Sequence, residues 1–364
     1  MRTSYSKNNT YINCPQHYDW LYNKKFKPAK EGASLYFGSA IDASITALLN
    51  GDETWVKLFH AKWNKTQMNN KLVEVFDNND IVYSNNDFDA DVLLPEDRLT
   101  MENWIKELNI DNLSNEPIEC FKEVLKIKKN PYKQTRSEQL RYFNRCSWLS
   151  LKRKGDILLT SFKEQFFPKI KKVLATQLAA NIKDPYSGDS IQGFVDMVLE
   201  YEGYDKPIIF DLKTASQPYD EAQLETSEQL TLYAAMKGNE YNTDLVGYVV
   251  LCKNINKEKE AFCKKCNYIK NGSHRTCNSL IEGVRCNGEW DEKTVLNPKV
   301  QVLIEQKTPD KINMLLNDVS NIVLAMKHNI VYKNSSKCDN WYGNPCPYKK
   351  ACWKNDTSDL KKND

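Results

Sequence analysis

Histidine is scarce in this chain. Four occur in 364 residues, His17, His60, His274 and His328, so a histidine-based triad is a poor starting point for its chemistry. Long apolar runs are missing as well. Nothing approaches the ~18 apolar residues of a membrane helix, and the opening MRTSYSKNNTYINC lacks the apolar core of a secretory leader. Both absences point to a cytoplasmic chain with no membrane partner. Neither sign of charge prevails, since 51 basic and 48 acidic side chains leave a net charge of +3. A nucleic-acid face has to come from local clusters of lysine and arginine rather than from bulk charge. No glycine-rich nucleotide fingerprint is present, which leaves an iron–sulfur redox reading without a cradle for a nucleotide cofactor.

Cysteine, by contrast, is plentiful, with 11 residues. In a reducing compartment, clustered cysteines read as metal ligands before disulfides. The composition, 41% hydrophobic and 27% charged, is that of an ordinary globular protein. The length allows one sizeable core with one or two attachments.

Hydrophobic periodicity divides the chain. Residues 11–25, 34–49 and 53–63 carry apolar side chains at helical spacing, residues 70–95 are rich in Asn and Asp and read as loop, and helical patterns return from about 97 to 172. The period then changes to two. VLATQLAANI, IQGFVDMVLEYEG and KPIIFDLKTAS are consecutive strand-like runs, followed by a helix around LETSEQLTLYAAMKG and a strand in DLVGYVVLCKNI. After a Cys-rich insertion come the strand KVQVLIEQKT and the long amphipathic helix PDKINMLLNDVSNIVLAMKHN, with Pro309 suited to its first turn. The polar tail after Trp353 is expected to fray. This order predicts a mixed α/β core behind a helical N-terminal lobe. The expected organisation is a lobe over 1–172, a core over 173–335 with an insert at about 261–291, and a terminal segment over 336–364.

Asp196 lies in GFVD within the second strand, and Asp211 and Lys213 lie in FDLK within the third. Two residues apart, Asp211 and Lys213 project from one face, and hairpin pairing of the two strands sets Asp196 beside Asp211. Two such carboxylates repel unless a cation sits between them, and Mg²⁺ or Mn²⁺ takes oxygen ligands of this kind. A cation there polarises a phosphodiester and acidifies bound water, while the lysine orients that water or stabilises developing negative charge. A D-x-K is usually a solvated strand face. Here, however, the flanks GFV and IIF are apolar, and charge inside core-like strands needs a reason.

GFVD, FDLK and then Gln229 and Tyr233 in QLTLY on the next helix resemble the PD-(D/E)XK nuclease superfamily, most nearly its RecB-like branch and the phage-type exonucleases within it. The resemblance implies a restriction-endonuclease-like mixed sheet. It implies Asp196 and Asp211 as metal ligands and Lys213 as the catalytic lysine. Gln229 and Tyr233 become a pair that touches DNA or orients the lysine. Four apart, these two share a helix face, although Tyr233 alone would also read as core. The family's early G-x-x-x-H motif falls on Gly38 and Asp42, so an aspartate stands where the family has histidine. Asp42 is then a candidate oxygen ligand for Mg²⁺ or Mn²⁺, and equally a sign of altered metal preference or lost activity.

The same resemblance implies a [4Fe–4S] cluster held by Cys14 near the start and Cys338, Cys346 and Cys352 near the end, which would tie the two ends of the chain together. The five-residue interval between Cys346 and Cys352 matches the family. The seven-residue interval before Cys346 is longer than usual, and zinc or ordinary thiols are the other readings. A second set, Cys263, Cys266, Cys277 and Cys286, reads as a Zn²⁺ ribbon because it sits among Gly and polar residues in a segment too small for its own core. His274 is an alternative ligand there, and Lys264, Lys265, Lys270 and Arg275 make the insert basic. Cys120, Cys146 and Cys252 read as packing residues.

The expected function is divalent-metal-dependent DNA exonuclease action on ends or single strands in recombination, repair or phage replication, with recombination or replication proteins as candidate partners and a cytoplasmic location, that of the host if the chain is phage-encoded. Lys24, Lys25, Lys27, Lys152 and Arg153 are candidate DNA contacts, with Tyr and Trp available to stack on bases. The rival reading is a non-catalytic DNA-binding or assembly subunit that retains the fold. Asp42 favours it, while the intact Asp196, Asp211 and Lys213 set argues against it.

Overall fold

In the computed structural model, which describes residues 1–68, 71–74, 80–339 and 345–362, the chain opens with strand β1 (Arg2–Ser4) and helix α1 (Tyr5–Asn13). Ser4 caps α1 by accepting the Lys7 amide at 3.3 Å. The helix stops at Cys14, whose extended backbone is the conformation a following proline imposes. The helical lobe follows: α2 (Ala33–Leu49), α3 (Trp55–Asn64), α4 (Pro95–Glu107), α5 (Pro117–Lys129) and α6 (Ser137–Ser161). A proline opens both α4 and α5, where its missing N–H costs no hydrogen bond. The lobe's core is aromatic, with Phe37, Phe59, Trp63, Tyr142 and Phe143 fully buried.

The sheet comprises β1, β2 (Ile170–Lys183), β3 (Ser190–Tyr201), β4 (Ile208–Ala215), β5 (Leu245–Cys252) and β6 (Val300–Gln306). Helix α7 (Glu228–Tyr241) lies on one face, with α8 (Pro309–Lys327) beside it. The lobe helices pack on the other face, where Phe37 and Ile41 join Met197, Leu199, Phe210 and Val249 in one core. β2 runs antiparallel along β3 from Ile170 to Lys183. The opposite edge of β3 is shared: β1 takes Ser190–Gln192 in parallel, and β4 takes Met197–Leu199 antiparallel. Between those two ladders Gly193–Asp196 has no strand partner on that edge among the described residues. β4 meanwhile continues beside β5 to Ala215. The sheet is thus split between β3 and β4, and the chemistry-bearing side chains sit at the split.

The structure departs from the sequence reading in several places. Leu360–Lys362 does not fray but pairs with Phe26–Pro28. Within the stretch read as loop, Lys71–Glu74 pairs with Lys65–Met68; positions 69–70 and 75–79 of it lie outside the described residues. The helix expected over 224–238 is broken into Glu221–Glu225 and α7, because Ser227 caps the second piece through the Leu230 amide. The cysteine insert is carried on a stem that pairs Asn256–Cys263 with Trp290–Asn297. Lys257 ties that stem to Asp89 and Asp91 at 2.7 and 2.6 Å.

Candidate active site

Asp211 is buried in the middle of β4. One register step beyond the last β3–β4 pair, Met197 with Phe210, Asp196 faces it across the split. The Leu212 amide, left without a strand partner there, donates to Asp196 Oδ2 at 2.8 Å. Lys213 Nζ lies 2.6 Å from Asp211 Oδ2. The Gln229 side chain on α7 joins the pair: its Oε1 accepts from Lys213 Nζ at 2.9 Å, and its Nε2 donates to Asp211 Oδ1 and to the Tyr233 hydroxyl, both at 2.8 Å. The five residues singled out in the sequence therefore meet in one place. Helical spacing of four makes the Gln229–Tyr233 contact possible.

Asp42 approaches from α2. Gly38, one turn earlier, lets α2 come close to β4, since a Cβ there would stand 3.3 Å from Thr214 Oγ1. Gln177 holds the Asp42 carboxylate, donating to Oδ1 at 3.0 Å and Oδ2 at 3.2 Å. Gln177 occupies the register position across from Asp196 and has a left-handed φ of 46°. Strain of this kind in a non-glycine residue is held only where the surroundings enforce it. Nothing in the sequence signals Gln177, because a polar residue in an edge-like strand looks like solvated surface. Tyr248 is a second residue missed; its ring lies 5.9 Å from Lys213 Nζ and its hydroxyl shares a 2.6 Å hydrogen bond with Ser227.

The electrostatics follow from this crowding. Burial, with Asp211 beside it, pushes the Asp196 carboxyl up to about 7. Burial also raises Asp211 and Asp42, and the Asp211 charge adds to the rise at Asp42. The Asp211 field holds Lys213 above its ordinary value despite its burial, so the ammonium keeps its proton and serves as a donor rather than a base. Burial likewise keeps the Tyr233 phenol protonated. Asp196 and Asp211 thus share the Lys213 ammonium, Asp42 has only the more distant charge of Lys62, and Asp196 Oδ1 has no hydrogen bond among the described residues. The site has a deficit of positive charge that a divalent cation would correct. A cavity of about 430 Å³ opens beside it, lined by Arg2, Gln192, Phe194, Gln229 and Tyr233 among others; the Phe194 ring is 64% exposed.

The two cysteine sets are separate. The sulfurs of Cys263, Cys266, Cys277 and Cys286 all lie within 4.8 Å of one another. Two of the spacings, Cys263 to Cys286 and Cys266 to Cys277, are 3.6 Å. A tetrahedral ion with Zn–S bonds of about 2.3 Å requires roughly 3.8 Å, so this group can hold a metal ion. Gly288 makes room for it, because a Cβ there would fall 2.5 Å from Cys263 Sγ. His274 is outside the set, and Trp290 Nε1 bonds its carbonyl oxygen.

Cys14, Cys338, Cys346 and Cys352 line one cavity. Among the described residues no three of their sulfurs come within the same 4.8 Å. The Asn334 amide donates to Cys14 Sγ at 3.5 Å, and Trp353 Nε1 donates to Cys338 Sγ at 3.3 Å. Burial, with the other three thiols nearby, pushes Cys346 up to about 11. Cys120, Cys146 and Cys252 are buried away from both sets. Two of the basic residues suggested as DNA contacts are engaged by acids: Lys24 pairs with Asp19 at 2.9 Å and Arg153 with Asp97 at 2.7 Å. No helix among the described residues is long and apolar enough to cross a membrane.

A family model described as the PD-(D/E)XK nuclease superfamily matches residues 2–353. Among solved structures, one titled "Crystal structure of SSO0001" aligns at 13% identity over 72% of this chain and 84% of that one, with a TM-score of 0.27, a likeness too loose to argue from. No curated protein matches the chain.

Proposed function

The chain belongs to the PD-(D/E)XK nuclease superfamily, and on that premise we propose that it is a divalent-metal-dependent DNA exonuclease working in recombination, repair or phage replication. The observation that carries the reading is the buried Asp211, with Asp196 across the split and Lys213 Nζ 2.6 Å away. A binding module gains nothing from buried carboxylates so placed. Asp196, Asp211 and Asp42 are the residues that would hold Mg²⁺ or Mn²⁺. When bound, the cation supplies Lewis-acid polarisation of the phosphodiester and an acidified water.

The chain's own residues do the rest. Lys213, kept protonated by Asp211, donates toward negative charge on the phosphate. Gln229 fixes the lysine and Asp211 relative to each other, so neither needs to reorganise during reaction. The Tyr233 phenol remains a donor beside them. The exposed Phe194 ring offers a stacking surface at the mouth of the adjoining cavity.

The ribbon cysteines suit Zn²⁺, which would organise the insert. Among the described residues no three terminal sulfurs come within 4.8 Å of one another, a looser spacing than one tetrahedral ion needs, and this favours the larger [4Fe–4S] group. The rival reading, a non-catalytic DNA-binding subunit, rests on Asp42 standing where the family has histidine.

The test is degradation of end-labelled linear DNA with Mg²⁺ or Mn²⁺ by anaerobically purified protein. Wild type is expected to cut, and Asp211→Ala and Lys213→Ala to lose roughly a thousandfold or more in rate, as when preorganised charge is removed from an active site. A folded, fully metallated wild type that leaves every DNA form intact with both cations would sink the catalytic reading and leave the binding subunit.

A further inference from the structure

The cavity at the start of α2, about 850 Å³ in volume, belongs neither to the carboxylate site nor to either cysteine set. We propose that it binds phosphate, and that its occupant is a phosphate of the DNA strand whose phosphodiester reaches Asp211; the second part rests on the nuclease reading.

Five lysines line the cavity, Lys30, Lys128, Lys129, Lys154 and Lys253, against one carboxylate, Asp87. Asp87 is already engaged, since its Oδ2 accepts the Ser84 amide at 2.6 Å. Lys128 hydrogen-bonds a neutral amide oxygen, that of Asn85, at 2.5 Å and lies over the Phe143 ring at 4.4 Å. Lys154 is the decisive residue. It is 3% exposed, lines the cavity, and has no hydrogen bond and no contact ion pair among the described residues; Asp89 and Asp87 act on it only from farther away. Taking an ammonium out of water without a contact partner is expensive, and burial lowers its pKa despite those two carboxylates. A fold retains such a group where an anion completes it.

The backbone adds to this charge. α2 has 17 residues, and its N-cap, Gly32, contributes no side-chain hydrogen bond. The first amides of the helix are therefore uncapped, with the positive end of its dipole, and Gly32, Ala33 and Ser34 form part of the wall. Lysines as point charges and bare helix amides suit tetrahedral phosphate oxygens, which accept from many directions.

The same helix sets the distance to the chemistry. From Ala33 to Asp42 is nine residues, about 14 Å at 1.5 Å per residue. At roughly 3.4 Å of duplex axis per nucleotide of one strand, the cavity lies about four nucleotides from the metal-site carboxylates, and fewer along an extended strand. Ser216, just past β4, and Lys253, just past β5, also line it, so it opens at the ends of the strands that frame the active site. A strand running along α2 would reach both.

The test uses the full chain in EDTA, so that no cutting occurs, with two probes: pyrophosphate, read by thermal shift, and a short labelled single strand, read by anisotropy across a salt series. Pyrophosphate is expected to stabilise wild type but not Lys154→Met or Lys253→Ala. Each substitution should weaken strand binding about tenfold, the loss of one charge-assisted contact, and reduce the slope of log K against log salt by about 0.7. Lys154→Met should melt close to wild type, because the cost of burying the ammonium is removed together with its attraction to Asp89 and Asp87. Asp211→Ala should keep the wild-type slope.

If both lysine variants are folded and bind pyrophosphate and the strand as wild type does, the site is refuted. If they lose pyrophosphate alone, the occupant is a free phosphate compound and the strand assignment is overturned. If the slopes change as expected while wild type with Mg²⁺ leaves DNA intact, the nuclease reading fails and the phosphate site stands.

Discussion

The two four-cysteine sets differ in reach and in width. The ribbon cysteines fall between positions 263 and 286 and close a short loop; the terminal ones run from Cys14 to Cys352 and close nearly the whole chain. The ribbon sulfurs sit 3.6 Å apart in pairs, already spaced for one tetrahedral ion, whereas the terminal sulfurs stand around a cavity. Local closure makes a self-contained module that a hairpin stem can carry. Long-range closure makes a clasp, here between the start of the lobe and the end of the chain. Metal loss should therefore have different consequences at the two places.

The largest effect expected from that contrast is on stability. By analogy with disulfides, the chain-entropy term for a loop the length of Cys14 to Cys338 is about 6 kcal/mol, against about 3.5 kcal/mol for the 263–286 loop. Cys14→Ser should lower the main melting transition by on the order of 10 °C. It should also remove the visible absorption of an iron–sulfur group. Cys277→Ser should release one zinc per chain and leave the main transition within about 2 °C, because only the insert loosens. Differential scanning calorimetry with metal analysis on both variants decides it. Equal shifts would mean that the ribbon is built into the core and the contrast is false.

The sequence revealed the two sets unequally, and for a physical reason. The ribbon announces itself because all its ligands lie in one short, Gly-bearing stretch. The terminal set becomes visible only through family resemblance, since nothing local links Cys14 to a segment more than three hundred residues away. The carboxylates behave similarly. Asp211 and Lys213 are legible because strand periodicity puts them on one face, and apolar flanks mark them as buried. Gln177 is not legible, because its role depends on a left-handed kink and on α2 arriving from elsewhere. The lysine cavity is not legible in the sequence: its lysines come from four separate stretches of chain, while the sequence neighbours suggested as contacts, Lys24 and Arg153, are engaged by acids. The tail after Trp353 failed as a prediction because composition cannot show that Phe26–Pro28 offers it an edge.

A second comparison sets the thiol sites against the carboxylate site, and pH separates them. Asp196 has a folded-state pKa pushed up to about 7, from an ordinary 3.8. A group raised in the folded state contributes stability that is fully present below its unfolded value and is lost as pH rises through the folded one. Metal-free protein should therefore lose melting temperature between about pH 4 and pH 7, and Asp196→Asn should remove that part of the loss. Mg²⁺ should restore it above about pH 7 and do little near pH 5, where it must displace a proton. The Cys277→Ser variant should show the same profile, since the ribbon is separate. A Mg²⁺-induced shift that is equal at both pH values would mean that the cation is not binding at Asp196.

The smallest expected effect lies within the carboxylate site, between ligands fixed by strands and one fixed by a neighbour. Asp196 is held by the Leu212 amide and Asp211 by its place in β4 with Gln229 and Lys213 on its oxygens, whereas Asp42 depends on the Gln177 amide. Gln177→Gly separates the amide from the backbone it sits on. Glycine tolerates a φ of 46° without the penalty of a side chain, so the fold should lose nothing at that position and can gain a few tenths of a kcal/mol. Asp42, released, should weaken Mn²⁺ binding by about tenfold, the low end for loss of a partner that orients a ligand. Calorimetric titration with Mn²⁺ reads this directly, with no cleavage assay. Gln177→Asn, which keeps an amide on a shorter arm, should fall between Gly and wild type in affinity and in stability, because asparagine adopts a left-handed φ more readily than glutamine. If Gln177→Gly binds Mn²⁺ as wild type does while Asp42→Ala does not, Asp42 holds its own geometry and the strain at Gln177 serves only the strand. If neither variant changes Mn²⁺ affinity, Asp42 is not a ligand, and Asp196 and Asp211 hold the cation alone.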